Sequence, residues 1–370
     1  MGTQEWGYGD SVKAAFEQMD RVRRWQGMLL DAAGFAPQET PHRLLPIEAG
    51  VRLRAYGDAG GPALLVVPAP IKRCYIWDLA PQVSVVRDCL RHGIRVYVAE
   101  WMPVNEMGQD YGLHDYAERL LTACLDAIET DCGQHRVIQA GHSLGGALAA
   151  ISSCLHPERV AALVLLEAPL HFAGDAGKFA PVVGAAPDAH PLGQYFGCVP
   201  GSFLNAVCVS SAPEEFHWQR LSDLFRSLPN AEKLATHMRV ERWMHDEFAM
   251  PGRLFADVIE LLYRHDQLMR GQLSIGGRRV GPRDLAVPLL NVINPNSTVI
   301  APQSILPFHQ AAASASKKLL SYGGDVGVSI QHVGVLAGAN AHARMWPAIF
   351  EWLARIFHQT GPQLCMGYGR

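Results

Sequence analysis

Residues 136–150 read RVIQAGHSLGGALAA, and this stretch decides how the rest of the chain is interpreted. A short apolar run that ends at Ala140 precedes the pentapeptide GHSLG at 141–145, and small helix-forming residues follow it. A G-x-S-x-G sequence between a strand and a helix predicts a sharp turn that exposes the serine hydroxyl. The backbone N–H groups at the start of that helix can then receive the oxyanion that forms on a substrate carbonyl when Ser143 attacks it. The alternative is a glycine-rich turn that only packs, but the flanking strand and helix favour nucleophilic catalysis by Ser143.

The composition is that of a globular protein, because 49% of the 370 residues are hydrophobic and 18% are charged. This length buries one large core and leaves room for an inserted cap. The formal charge of −3 gives no electrostatic reason to expect nucleic acid or an anionic membrane as a partner.

The cysteines and the N-terminus bear on the cellular compartment. Eight cysteines form no C-x-x-C pair and lie mostly in apolar segments, which predicts buried thiols in a reducing environment. The first ten residues lack the basic and apolar regions of a signal peptide. Since no apolar run reaches the length of a membrane span, we expect a cytoplasmic protein without an integral membrane segment.

Apolar runs at strand spacing alternate with helical patterns through much of the chain. We predict a hairpin at 42–56, helices that include 77–92 and 113–131, and strands at 63–67, 94–99, 137–140, 160–166, 285–293 and 317–322. This alternation predicts an α/β fold with a mainly parallel central sheet and helices on both faces.

The alternation stops at Pro169 and resumes near residue 252, which indicates an insertion. We therefore predict a core formed by residues 41–169 and 252–370, with residues 170–251 as a cap, or lid, over Ser143. Residues 1–40 form the remaining part, an N-terminal helical arm.

The N-terminal arm repeats apolar positions at helical spacing over residues 10–34, with arginines between them. This pattern predicts an amphipathic helix outside the main core. Packing on its own domain is the simplest interpretation of such a helix. A homodimer arm and an attachment surface for an apolar particle are the alternatives.

Several segments, taken with the pentapeptide, resemble the polyhydroxyalkanoate synthase branch of the α/β-hydrolase superfamily. They are LVVPAPIKR at 65–73, GIRVYVAEW at 93–101, RWM at 242–244 with PG at 251–252, and HVGV at 332–335. The similarity extends from about residue 44 to residue 357. The resemblance implies the α/β-hydrolase fold and a substrate that is a polyester or a hydroxyacyl-CoA. It also implies a polymer granule as a surface to which the protein binds.

Two positions depart from the synthase pattern. The synthases carry cysteine where this chain has Ser143, and they carry an aspartate after the strand that ends here at Ile293. This chain has NPNSTVIAP at 294–302, which contains no carboxylate. An asparagine or threonine in this loop orients an imidazole but does not stabilise imidazolium with a full charge.

Ser143 needs a base, because a serine hydroxyl is hardly ionised at neutral pH. We predict His332, which precedes the final helix and follows the nucleophile in the chain order of α/β-hydrolases. For the acid we predict Glu167, which directly follows the strand at 160–166. The resemblance to α/β-hydrolases supports this choice, because some of them, such as certain haloalkane dehalogenases, carry their catalytic glutamate there, and a carboxylate at this position is costly to bury without a partner. A salt bridge from Glu167 to the cap, Asp325 as the acid, and a triad without a carboxylate remain alternatives.

The oxyanion hole is predicted to use the backbone N–H groups of Leu144 and Ile71. Ile71 is chosen because Pro70, in the loop after the strand at 63–67, has no N–H. Nothing in the sequence calls for a metal or an organic cofactor, since no G-x-G-x-x-G follows a strand and no P-loop is present.

Three functions follow from these residues and from the resemblance. The first is a serine hydrolase for a hydroxyalkanoate ester or thioester, either a depolymerase or a hydroxyacyl-CoA thioesterase. Serine favours this function because an oxygen ester is a less activated acyl donor than a thioester. The second is a polyhydroxyalkanoate synthase, an acyltransferase that uses Ser143. The third is a non-catalytic protein that binds polymer granules, in keeping with the missing aspartate.

Overall fold

The computed structural model describes residues 6–58, 60–103 and 110–359, with side chains from residue 11 to residue 358 within these ranges. Its centre is an eight-stranded sheet in the order β1-β2-β4-β3-β5-β6-β7-β8. The strands are β1 (Arg43–Glu48), β2 (Val51–Tyr56), β3 (Ala63–Val67), β4 (Arg95–Trp101), β5 (Val137–His142), β6 (Val160–Leu166), β7 (Leu289–Ile293) and β8 (Lys317–Ser321).

Strand β2 is antiparallel to both β1 and β4, and the other neighbouring pairs are parallel. The predicted mainly parallel sheet is therefore confirmed. Strands β3, β5 and β6 are buried at every residue, as expected where helices cover both faces of a sheet.

Helices pack on both faces of the sheet and fill the insertion between β6 and β7. They are α1 (Trp6–Leu30), α2 (Val85–Arg91), α3 (Leu120–Cys132), α4 (Leu144–Leu155), α5 (Phe179–Ala185), α6 (Ala189–Phe196), α7 (Gly201–Ser211), α8 (Arg220–Ser227), α9 (Ala231–Met244), α10 (Gly252–Asp257), α11 (Leu306–Ala311), α12 (Gly334–Ala337) and α13 (Trp346–Gln359). Single π-helical turns extend several of them, including Glu214–Gln219 before α8 and Val258–Arg264 after α10. Among the described residues, no helix is both long and apolar enough to span a bilayer.

The predicted helix at 77–92 is wrong over its first half. Two short antiparallel strands, Asp78–Ala80 and Val83–Ser84, occupy this region, and α2 begins only at Val85. Pro81 disfavours a helix at the residue before it and lacks the N–H that a helix interior requires. Ser84 then caps α2, because its side chain accepts a hydrogen bond from the backbone N–H of Arg87 at 3.0 Å.

Helix α1 packs on its own chain, as in the simplest interpretation of the N-terminal arm. The Phe16 ring lies edge-on to Phe203 at 5.3 Å, and the Ser202 hydroxyl donates to the Phe16 carbonyl at 2.8 Å. The expectation that this helix lies outside the core is wrong for this face, because Phe16 packs against the main core cluster. The opposite face leaves Trp25 and Met28 more than half exposed, so the dimer arm and the particle surface stay predictions.

The insertion that follows β6 contains α5 to α9. Its side chains line a cavity next to Ser143, so the insertion lies over the carboxyl end of the sheet. A short antiparallel pair, Cys198–Val199 with Met250–Pro251, joins its two halves. The limits of the cap at residues 170 and 251 stay a prediction.

Candidate active site

Ser143 occupies a strained turn between β5 and α4. Its φ of 55° and ψ of −135° lie in a region that L-residues rarely adopt and that costs about 1–3 kcal/mol. The glycines around it permit this turn. A Cβ on Gly145 would lie 2.2 Å from the Val67 carbonyl oxygen, and one on Gly141 would lie 2.5 Å from Cα of Gly146. The turn that the G-x-S-x-G sequence predicts is present.

The register of the sheet brings Ser143 beside Glu167. Strands β5 and β6 end as neighbours, and the Ser143 N–H donates to the carbonyl of Leu166 at 3.2 Å. The Glu167 N–H in turn donates to the Val292 carbonyl on β7 at 3.0 Å. The carboxyl ends of three adjacent parallel strands therefore meet here, which is where ligands bind in open α/β sheets.

Glu167 contacts the predicted base directly. Its Oε2 lies 3.2 Å from Nδ1 of His332, and its side chain is fully buried while His332 is 12% exposed. Burial raises the pKa of Glu167, whereas His332 and the Ser297 hydroxyl act in the opposite direction. When Glu167 is ionised, Nδ1–H of His332 donates to it and leaves Nε2 as the basic atom.

His142, inside the pentapeptide, holds the His332 loop. Its Nε2–H donates to the carbonyl oxygen of His332 at 2.8 Å, and the two rings lie 4.3 Å apart. Burial, followed by the neighbouring His332, lowers the pKa of His142 well below its ordinary value. His142 is therefore neutral and fixes the loop rather than exchanging protons.

Asp325, the alternative acid, binds other groups. Its carboxylate accepts hydrogen bonds from the Tyr322 hydroxyl at 2.9 Å and from the backbone N–H of Asn340 at 3.0 Å. Among the described residues, Glu167 rather than Asp325 contacts the imidazole of His332. These contacts favour Glu167 as the acid, and the Asp325 alternative stays a prediction that its own contacts do not support.

A carboxylate from the insertion reaches the loop at 294–302, where the synthases carry aspartate. Glu215 accepts hydrogen bonds from the backbone N–H groups of Thr298 at 2.6 Å and Val299 at 3.1 Å, and also from the Thr298 hydroxyl. The side-chain oxygen of Asn294 accepts from the Asn296 N–H at 3.0 Å. These bonds engage the side chains of Thr298 and Asn294, two of the groups that a triad without a carboxylate would use. Glu215 is not among the residues predicted from the sequence, because no local pattern links residue 215 to residue 298.

Leu144 and Ile71, the predicted donors of the oxyanion hole, both line the cavity that Ser143 lines. Leu144 is the first residue of α4, and the first N–H groups of a helix have no partner within it. The loop of Ile71 is fixed by Trp101, whose indole N–H donates to the Pro68 carbonyl at 2.8 Å, and by Phe248, whose N–H donates to the Ile71 carbonyl at 3.1 Å. The roles of both N–H groups stay predictions.

One cavity of about 230 Å³ joins these groups, since Ser143, Leu144, His332 and Ile71 all line it. Most of its remaining wall is apolar, and the insertion supplies a large part of that wall. Within the described ranges, no group of three His, Cys, Asp or Glu side chains is placed to hold a metal ion.

A buried carboxylate of α8 anchors the loop that carries His332. Asp223 accepts hydrogen bonds from the N–H groups of Gly327 at 2.9 Å and Ser329 at 2.8 Å, and it also contacts Nδ1 of His237 at 2.8 Å. Ser329 has a φ of 61°, a strained value that the two backbone bonds help to hold. The loop leading to His332 is therefore fixed by the insertion as well as by His142.

Asp223→Asn is expected to lower kcat about 10- to 100-fold with KM nearly unchanged, because small errors in the position of a base are costly. The measurement is steady-state hydrolysis of a chromogenic ester. Glu100→Gln is the matched control, since Glu100 is a buried carboxylate of β4 whose partners, Arg52 and Arg54, lie on β2 and do not line the cavity. An equal loss of kcat in both variants would contradict a specific effect on His332.

The fold and the sequence together define the family. Residues 62–324 match the profile described as the alpha/beta hydrolase fold, which covers more than half of the chain. The chain therefore belongs to the α/β-hydrolase fold family, in its polyhydroxyalkanoate synthase-like branch.

Two curated relatives illustrate this branch. The chain is 28% identical over 353 residues to the poly(3-hydroxyalkanoate) polymerase subunit PhaC of Haloferax mediterranei, covering 92% of this chain and 69% of that protein. It is 25% identical over 350 residues to the corresponding subunit of Allochromatium vinosum, covering 92% of this chain and 97% of that protein.

Solved structures support the fold alone. A putative lipase from Sulfolobus solfataricus aligns with a TM-score of 0.54 at 14% identity, covering 82% of this chain and 89% of that one. A carboxylesterase from Bacillus subtilis aligns with a TM-score of 0.52 at 13% identity, covering 92% of this chain and 98% of that one.

Proposed function

We propose that the protein is a serine hydrolase that cleaves an ester or thioester of a hydroxyalkanoate through an acyl-enzyme on Ser143. His332 Nε2 takes the proton as the Ser143 oxygen attacks the carbonyl carbon, and the N–H groups of Leu144 and Ile71 stabilise the oxyanion. His332 then gives the proton to the leaving thiolate or alkoxide. Water, deprotonated by His332, releases the hydroxy acid and restores Ser143.

The contact between Glu167 and His332 is the observation that carries this proposal. A carboxylate in this position orients the imidazole and stabilises the imidazolium that forms during attack. The mainly apolar cavity over Ser143 supports an acyl substrate. Serine supports hydrolysis over polymerisation, because the oxygen ester is the less activated acyl donor.

The second candidate is polymerisation, in which the acyl group passes from Ser143 to the hydroxyl of a growing polyester. The curated relatives favour this candidate more directly than hydrolysis, because they are polymerases matched over 92% of the chain. The third candidate, a non-catalytic granule-binding protein, is disfavoured because Ser143 and His332 line one cavity and Glu167 contacts His332.

Incubation with (R)-3-hydroxyacyl-CoA substrates of four and eight carbons distinguishes the three candidates. Free CoA, free hydroxy acid and insoluble polymer are measured in the same reaction. The proposal predicts hydroxy acid in proportion to CoA and no polymer, because water resolves the acyl-enzyme. Polymer formation would establish the second candidate instead.

Ser143→Ala is the control for these reactions. CoA release that persists in this variant would show that the activity does not depend on the nucleophile. If wild-type protein releases no CoA, polyester films and simple esters are tested next. Absence of Ser143-dependent cleavage there would leave the granule-binding function.

A further inference from the structure

The cavity lined by Ser143 and His332, which we call the acyl cavity, has a limited volume. It measures about 230 Å³, and Ser143 lies in its wall. Its roof comes from α5 and α7 of the insertion and from the turn Val258–Arg264 of the core, and α5 packs against both of the other elements. The apolar side chains that form this roof include Val183, Leu204, Val258 and Ile259.

The charged groups in the wall compensate one another. Lys72 Nζ lies 2.6 Å from Glu247 Oε1 and donates to the Met244 carbonyl at 3.0 Å, while Arg23 Nε lies 3.2 Å from Glu247 Oε2. Burial lowers the pKa of Lys72, and Glu247 acts in the opposite direction. The occupant that suits such a wall is a neutral aliphatic group rather than an ion.

The volume sets the length of that aliphatic group. An apolar cavity of about 150 Å³ holds benzene, which has six carbons, so this cavity holds about nine. We propose that the site takes a medium-chain hydroxyacyl group of roughly eight to ten carbons in preference to a four-carbon one. This inference rests on the proposed function for its chemistry, and on the cavity for its length.

The discrimination follows from burial of methylene groups. Each buried methylene favours binding roughly fourfold, so the four extra methylenes of an eight-carbon chain strengthen binding on the order of 100-fold over a four-carbon chain. A 14-carbon chain exceeds the cavity and loses this gain, because overpacking an apolar site is unfavourable.

The test uses N-acetylcysteamine thioesters of (R)-3-hydroxy acids with 4, 8, 10 and 14 carbons. Binding to the Ser143→Ala variant is measured by calorimetry, and turnover is measured with the wild-type enzyme. The tightest binding and the highest kcat/KM are expected at 8 to 10 carbons. A preference for four carbons, or equal binding of all lengths, would overturn the inference.

The binding measurement and the turnover measurement distinguish failure of the inference from failure of the proposed function. Length-dependent binding to Ser143→Ala without turnover by the wild type would overturn the proposed function but support the medium-chain cavity. Val183→Phe fills the roof and is expected to shift the preference to shorter chains. Leu228→Phe is the control, because Leu228 is 55% exposed on the insertion and should leave the preference unchanged. No shift with Val183→Phe would contradict the inference.

Discussion

Ser143→Ala is expected to lower the rate of ester or thioester cleavage by about 10⁵-fold or more, leaving only what binding and the oxyanion hole supply. The variant keeps the turn, the cavity and the pairing of His332 with Glu167, but it lacks the atom that attacks the carbonyl carbon. The measurement is single-turnover release of CoA or alcohol.

Ser153→Ala is the matched control for this prediction. Ser153 is buried in α4, and its hydroxyl donates to the Ala149 carbonyl at 2.8 Å, so its loss disturbs the same helix without touching the cavity. The control should keep a rate close to that of the wild type. Residual activity of Ser143→Ala within about tenfold of the wild type would be incompatible with covalent catalysis at this residue.

Glu167→Gln is expected to lower kcat by about 10³- to 10⁴-fold, because an amide does not stabilise the imidazolium and allows the wrong tautomer of His332. The variant should be as stable as the wild type or more stable. Burial raises the pKa of Glu167, so the ionised acid opposes folding at neutral pH. Measurements of kcat and of urea-induced unfolding check the two expectations.

The pH dependence of stability gives the sign of the Glu167 effect. Because its folded-state pKa is raised, its contribution to stability is fully present below the unfolded-state value of about 4.3 and is lost as the pH rises through the folded-state pKa. Glu167→Gln removes this loss. The stability advantage of the variant should therefore grow as the pH rises through this window, and an advantage confined to low pH would contradict burial as the cause.

Asp325→Asn tests whether Asp325 acts as the acid that orients His332 or only stabilises the fold. Asp325 bonds Tyr322 and Asn340, so its replacement should weaken folding and change kcat much less than Glu167→Gln does. The reverse order of the two effects on kcat would assign the acid to Asp325.

Local sequence patterns predict the parts of the site that the sheet itself positions. Ser143 and Glu167 each follow a strand directly, so once β5 and β6 are neighbours their side chains lie at the same edge. His332 follows from chain order. These three residues, and the parallel sheet that carries them, depend on periodicity and on short motifs that the sequence displays.

The contacts that hold the site together depend on distant residues and have no local pattern. Asp223 reaches Gly327 and Ser329 across more than one hundred positions, and Glu215 reaches Thr298 across 83. Both lie in helices of the insertion, where apolar periodicity is patchy and a buried carboxylate resembles an exposed one. The size of the acyl cavity is equally hidden, because it results from the packing of α5 and α7 against the turn after α10.

The most direct measurement is the mass of the intact protein after reaction with an alkyl fluorophosphonate, followed by peptide mapping. We predict one adduct per chain, attached to Ser143. It should form much more slowly in Glu167→Gln and should not form in Ser143→Ala. An adduct on another residue, such as the cavity-lining Cys208, or an unchanged rate in Glu167→Gln, would contradict a Ser143 nucleophile activated by His332 and Glu167.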